Sequence, residues 1–153
     1  MGGISGLAEK MKIRDVIIPN AAEAHDSFTP YFSSSKLQKA DQNLSNALAT
    51  FLKKHMKNRV WRGWIYTSGS LAVQTLPWLK KLRANGFIGL ELGISEAFTA
   101  GKKFGIKVAA ACYITDLGIR KNFLRITKED NKIRFKIRDT LAKALVEFIC
   151  RDN

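Results

Sequence analysis

Three short stretches of this sequence carry side chains able to move a proton or hold a polar ligand. Thr67, Ser68 and Ser70 follow an aromatic and β-branched run, Glu91 lies near the end of the run Phe87 to Leu92, and Thr115 with Asp116 follows the apolar run Val108 to Ile114. Each group also has a plain structural role, since Ser and Thr after a strand make turns and an Asp there caps a helix or forms an Asx-turn. Convergence would make them one site. In an open α/β sheet ligands bind beyond the carboxyl ends of the strands, and all three stretches sit at such ends.

The elements that must position them follow from periodicity. Residues 13 to 18 read as a strand stopped by Pro19 and Asn20, and residues 19 to 39, with Pro30 and the triplet Ser33, Ser34, Ser35, as a long polar loop. From Ala40 to Lys57 the apolar residues Leu44, Ala47, Leu48, Phe51, Leu52 and Met56 recur at three and four, an amphipathic helix with Asp41 as its cap. Val60 to Tyr66 is a second strand. Thr75 to Asn85 is a helix with Pro77 in its first turn and Gly86 at its end. Phe87 to Leu92 is a third strand, Ser95 to Phe104 a helix closed by Gly105, and Lys107 to Thr115 a fourth strand. Asn131 to Arg151 is a last helix, with Ile133, Ile137, Leu141, Ala144, Leu145, Phe148 and Ile149 on one side. Strands alternating with helices indicate an α/β domain over residues 1–153, its sheet partly parallel and covered by helices on both faces.

The composition fits such a domain: 153 residues, 46% apolar and 25% charged, enough to bury about 70% of the unfolded surface. The net charge of +13 lies in the C-terminal two-thirds and attracts phosphate in any form. A nucleic-acid surface would draw on Lys53, Lys54, Arg59, Trp61, Arg62 and Trp64, yet the tryptophans belong to a strand. Lys132, Lys136 and Lys143 form a solvated helical stripe, so nucleic acid is disfavoured. No apolar run is long enough for a bilayer. His25 and His55 lack metal-ligand spacing, Cys112 and Cys150 read as reduced, and the chain reads as cytoplasmic with no metal.

The same residues resemble a known family. Gly2 to Leu7, leading into Lys12 to Ile18, looks like the glycine-rich segment and following strand of the nucleoside phosphorylase-I family. Gly63 to Ser70 is similar to its base-side loop, and Gly89-Leu90-Glu91-Leu92 to its Val-Glu-Met-Glu ribose segment. The stretch from Gly105 to Thr115-Asp116 is similar to the one ending in the family's Ser-Asp. These anchors occur in the family's order over essentially the whole chain, in a pattern most similar to bacterial-type purine nucleoside phosphorylases.

The resemblance implies a three-layer phosphorylase-like fold and phosphorolytic cleavage of a nucleoside to free base and ribose 1-phosphate, with inorganic phosphate as co-substrate and no cofactor. Asp116 inherits the acid that addresses purine N7, and Thr67, Ser68, Leu71, Glu91, Leu92 and Thr115 the substrate-binding positions. Gly3 and Gly6 lie in the glycine-rich phosphate segment. Departures are equally specific: Gly93 stands at the ribose-binding Glu, Leu92 at the ribose-packing Met, Leu71 near the base-packing aromatic residue, and Gly3 at the phosphate-contacting Ser or Thr. Arg120 and Arg125 are candidates for the family's catalytic arginine, with Arg134 placed on the final helix. Family members carry roughly another third of their fold before the glycine-rich segment. The expectation is therefore weak or absent catalysis by this chain alone, and homo-oligomers or association through exposed sheet edges. The alternatives are a non-catalytic base-binding relative and a basic nucleic-acid-binding protein.

Overall fold

The glycine-rich start of the chain is a strand. In the computed structural model, which describes residues 1–152, β1 (Gly2–Gly6) lies between β5 (Gly89–Glu91) and β6 (Cys112–Asp116). The single-domain reading of 1–153 reaches Asn153, outside the described residues. Glycine is a poor strand former, and here crowding explains it. A Cβ on Gly6 would stand 3.1 Å from Ile114 Cδ1 and 3.2 Å from Met11 Sδ.

Pro19 does not end the next strand, correcting the turn expected there. β2 runs Val16–His25, and its register against β4 (Val60–Ser68) shifts between Pro19 and Ala21. The irregularity lets the strand accommodate a residue with no N–H, so the chain passes through the proline rather than turning. The expected loop of 19–39 is instead the second half of β2, a turn of 3-10 helix at Thr29–Tyr31, and the short strand β3 (Leu37–Lys39), antiparallel to β2.

The helices lie close to their expected places. α1 (Gln42–His55) is capped by Asp41, which accepts from the N–H of Leu44 at 2.8 Å. α2 (Leu76–Ala84) has Pro77 in its first turn and Gly86 beyond its end at φ 88°. α3 (Ile94–Phe104) ends on Gly105 at φ 67°, a left-handed cap that glycine adopts without strain. α4 (Lys128–Ile149) starts three residues before Asn131, because Thr127 and Asp130 close a capping box. β6 is shorter than its apolar run. Val108 instead packs into the space left by Gly101 on α3.

The strand order is β3-β2-β4-β5-β1-β6, and β6 pairs again with β2 through Val16 with Tyr113 and Ile17 with Cys112. The mixed sheet thus curls shut around Ile4, Ile17, Ile65, Cys112 and Ile114, where α3 adds Phe98. α1 and α4 cover Val16 and Ile18 with Leu48, Leu52, Ile137 and Leu141. α2 covers Leu7 and Leu90 with Leu79 and Leu82. Burying each of these aliphatic side chains contributes about 1.5–3 kcal/mol, and together they hold the strand ends in place.

Candidate active site

Closure of the sheet brings the ends of β1, β5 and β6 together. Ser5 on β1 is the register partner of both Leu90 on β5 and Asp116 on β6. Above these ends opens a cleft of about 420 Å³. Its floor includes Gly3, Ser5, Thr115 and Asp116, and its rim Leu71, Leu92 and Phe123, each exposed over about half its surface. Glu91 lines one side and Arg134 reaches in from α4.

Asp116 is the carboxyl best placed for proton chemistry. It is 6% exposed, with Oδ1 accepting from Ser5 Oγ at 2.6 Å and Oδ2 from Thr115 Oγ1 at 2.9 Å. Burial pushes its proton affinity above the ordinary carboxylate range, against the opposing pull of these two hydrogen bonds and the Arg134 charge.

Glu91 is differently employed. One oxygen accepts from the Thr67 hydroxyl, the other from the N–H of Gly93 at 2.5 Å and of Ile94 at 2.8 Å. The carboxylate supplies the acceptor that Gly93, the side-chain-less N-cap of α3, lacks. Burial pushes its proton affinity up, opposed by these bonds.

Of the residues expected at the site, Gly3, Leu71, Glu91, Leu92, Thr115 and Asp116 line the cleft, whereas Thr67, Ser68 and Gly6 do not. Thr67 is fully buried behind Glu91 and also accepts from the N–H of Ser95 at 3.1 Å. Ser68 closes a turn, its hydroxyl donating to the carbonyl of Ser70 at 2.8 Å. Gly6 packs against Ile114 and Met11. Of the arginines considered, Arg120 is spent on the carbonyl of Met11 and Arg125 lies outside the lining. Arg134 is the one in the cleft. It stands in the second turn of α4, a position the capping box at Thr127 makes readable from sequence. Ser5 carried no such signal, because its role depends on β1 pairing with β6, 111 residues away.

A larger groove of about 560 Å³ lies between β3 and α3, with Lys39, Asp41, Lys102 and Lys107 along it. Asp41 is committed there to capping α1, so the groove offers no acid beside hydroxyl donors. Two of the basic and aromatic residues of β4 are engaged in the fold, Trp61 donating to Asp15 at 2.9 Å and Arg62 to Asn20 at 3.0 Å, while Trp64 is half exposed. Among the described residues, no group of three or more His, Cys, Asp or Glu is placed to hold a metal ion, and no helix is long and apolar enough to cross a membrane.

The family model described as "Phosphorylase superfamily" matches residues 1–149. The chain belongs to the phosphorylase superfamily. No curated protein matches it. Among solved structures, this phosphorylase-superfamily chain superposes on uridine phosphorylase from Vibrio fischeri at TM-score 0.84 and 18% identity, covering 98% of this chain and 62% of that one. It superposes on a P. knowlesi homologue of P. falciparum PNP at TM-score 0.71 and 19% identity, covering 93% and 59%. A third similar structure is a putative methylthioadenosine nucleosidase from Weissella paramesenteroides, at TM-score 0.75 and 20% identity, covering 96% and 65%. At these identities the likeness establishes the fold. The chain spans about three-fifths of the length of these solved chains.

Proposed function

We propose that the cleft binds a purine nucleoside or its free base, and that Asp116 is the acid directed at the base during phosphorolytic cleavage of the N-glycosidic bond. The observation that carries this reading is the Asp116 carboxyl itself: almost fully buried, held by two hydroxyls, and with its proton affinity raised by burial. Cleavage leaves negative charge on the departing base, and an acid that protonates or hydrogen-bonds a ring nitrogen stabilises the transition state where that charge develops. The purine ring offers N7 for this contact and the pyrimidine ring has no equivalent, which favours a purine. Inorganic phosphate is the co-substrate and no other cofactor is required. A homo-oligomer is the expected assembly.

The reading is tested by phosphate-dependent release of hypoxanthine from inosine, with Asp116→Asn as control. Release that depends on phosphate and falls at least a hundredfold in the variant supports it. Absence of release at high protein concentration retires the catalytic claim.

A second reading, base binding without turnover, is favoured by the state of Glu91. With Gly93 at the position of the family's ribose carboxylate, Glu91 is the nearby acid, and it is already committed to the start of α3. Calorimetric binding of hypoxanthine that Asp116→Asn weakens, without cleavage of inosine, distinguishes this reading from the first.

A further inference from the structure

The acid of the cleft is held asymmetrically. Asp116 Oδ1 accepts from Ser5 Oγ at 2.6 Å, and that Ser5 oxygen itself accepts the backbone N–H of Gly118 at 3.1 Å. Ser5, 7% exposed, therefore has one proton to place and one acceptor on which to place it. Thr115 differs. Its hydroxyl stands 2.9 Å from Asp116 Oδ2 and 3.2 Å from the carbonyl of Ile4, and one proton serves only one of these at a time. Thr115 can donate to an ionised Oδ2, or turn its proton to Ile4 and accept from a protonated Oδ2. Ser5 has no second arrangement.

We propose that Ser5 is the positioning residue of this acid: it keeps Asp116 Oδ1 a permanent acceptor, so that the proton Asp116 carries and releases resides on Oδ2, with Thr115 as the rotor that accommodates both states. The proposal rests on the reading that Asp116 addresses the bound base. In the transfer, the Oδ2 proton turns from Thr115 to the bound base, the O–H bond at Oδ2 breaks and an N–H bond forms at the ring nitrogen. The electron pair stays on Oδ2, and Thr115 swings its proton from Ile4 to that oxygen. The contact from Ser5 to Oδ1 does not change, so the carboxyl keeps its orientation throughout.

The two hydroxyls therefore differ in what they do to the titration of Asp116. Ser5 donates a bond that strengthens when the carboxyl ionises, whereas Thr115 bonds to both forms. Carboxyl-carbon NMR titration of the full chain, with the Asp116 resonance assigned by its loss in Asp116→Asn, is the test. In Ser5→Ala the midpoint of Asp116 moves to higher pH, Ser5→Thr returns it toward wild type, and Thr115→Val moves it by less than Ser5→Ala. Should Ser5→Ala fail to fold, Ser5→Cys keeps the volume with a weaker donor and shifts the midpoint in the same direction. An unchanged midpoint when the Ser5 hydroxyl is removed, or a shift in Thr115→Val as large or larger, overturns the proposal. Hypoxanthine calorimetry on the same proteins separates the two layers. If wild type binds no hypoxanthine, the reading of the cleft as a base site falls even when the midpoint shifts. If it binds and the midpoint stays put, the assignment of Ser5 falls alone.

Discussion

Thr67 and Glu91 are register partners on the parallel strands β4 and β5, and the buried Thr67 hydroxyl donates to the Glu91 carboxylate. The other carboxylate oxygen takes the N–H of Gly93, the N-cap of α3, and of Ile94, its first residue, so one side chain joins two strands to a helix. Glu91→Ala would leave a hydroxyl and two helix-terminal donors without their acceptor in a largely buried place. The expected loss is about 2–4 kcal/mol, from charge-assisted bonds and stranded donors. Glu91→Gln, which retains an acceptor and a donor in that place, loses less than half as much. Urea unfolding of the two variants measures the difference, and equal stability losses would contradict it.

The dependence of stability on pH has two arms. Asp116 and Glu91 hold their protons more tightly folded than unfolded, so their contribution is fully present below the unfolded range near pH 4 and is lost as pH rises through their folded values. Asp26 and Asp130 behave oppositely. Asp26 is held low, despite the opposing effect of burial, by Ser95, Thr29 and Phe28, and Asp130 is held at about 2 by Lys121 and Thr127. Their contribution is present above the ordinary carboxylate range and is lost as pH falls through their folded values. Thermal melts from pH 3 to 8 should show Asp116→Asn at or above the wild-type Tm at pH 8, with that advantage gone at pH 4. Asp26→Asn should lower Tm at pH 7, by an amount that shrinks as pH falls below 4.

Gly3 and Thr115 form a steric pair. A Cβ on Gly3 would lie 2.6 Å from Thr115 Cγ2, and turning that methyl away would pull the Thr115 hydroxyl off Asp116 and Ile4. The family pattern has a hydroxyl residue at the first position and Ser at the second, without the methyl. Gly3→Ser alone should destabilise by about 1–3 kcal/mol through overpacking. Combining it with Thr115→Ser should recover at least half of that, which a double-mutant cycle reads as coupling of about 1 kcal/mol. Additive losses would show that the two positions are independent.

Gly101 on α3 faces Val108, and a Cβ there would clash with the Val108 side chain and lie 2.9 Å from the carbonyl oxygen of Ile106. Because one obstacle is backbone, Gly101→Ala should destabilise by about 1–3 kcal/mol even though alanine is the better helix former. Val108→Ala in the same chain should relieve only part of the loss. A neutral or stabilising Gly101→Ala in thermal melts would refute the packing described.

What the sequence by itself determined is local. The three- and four-residue spacing of Leu44, Leu48, Phe51 and Leu52, the Asp41 cap, and Gly86 and Gly105 past helix ends specify the helices, because a helix satisfies its backbone within a few residues. The same reading put Glu91 and Asp116 at strand ends, and both line the cleft. Strands are different, since each needs a partner from elsewhere in the chain. Gly2–Gly6 has no strand signature and becomes a strand only between β5 and β6, and Pro19 reads as a stop until β4 pairs along both sides of it. Thr67 and Ser68 looked like ligand-binding hydroxyls from their place after a strand, yet tertiary contacts assign one to Glu91 and the other to a turn. The partnership of Ser5 with Asp116, and the reach of Arg134 from α4 into the same cleft, were decided only when the sheet closed. Local periodicity cannot encode which strand ends meet, because that choice depends on pairings a hundred residues apart.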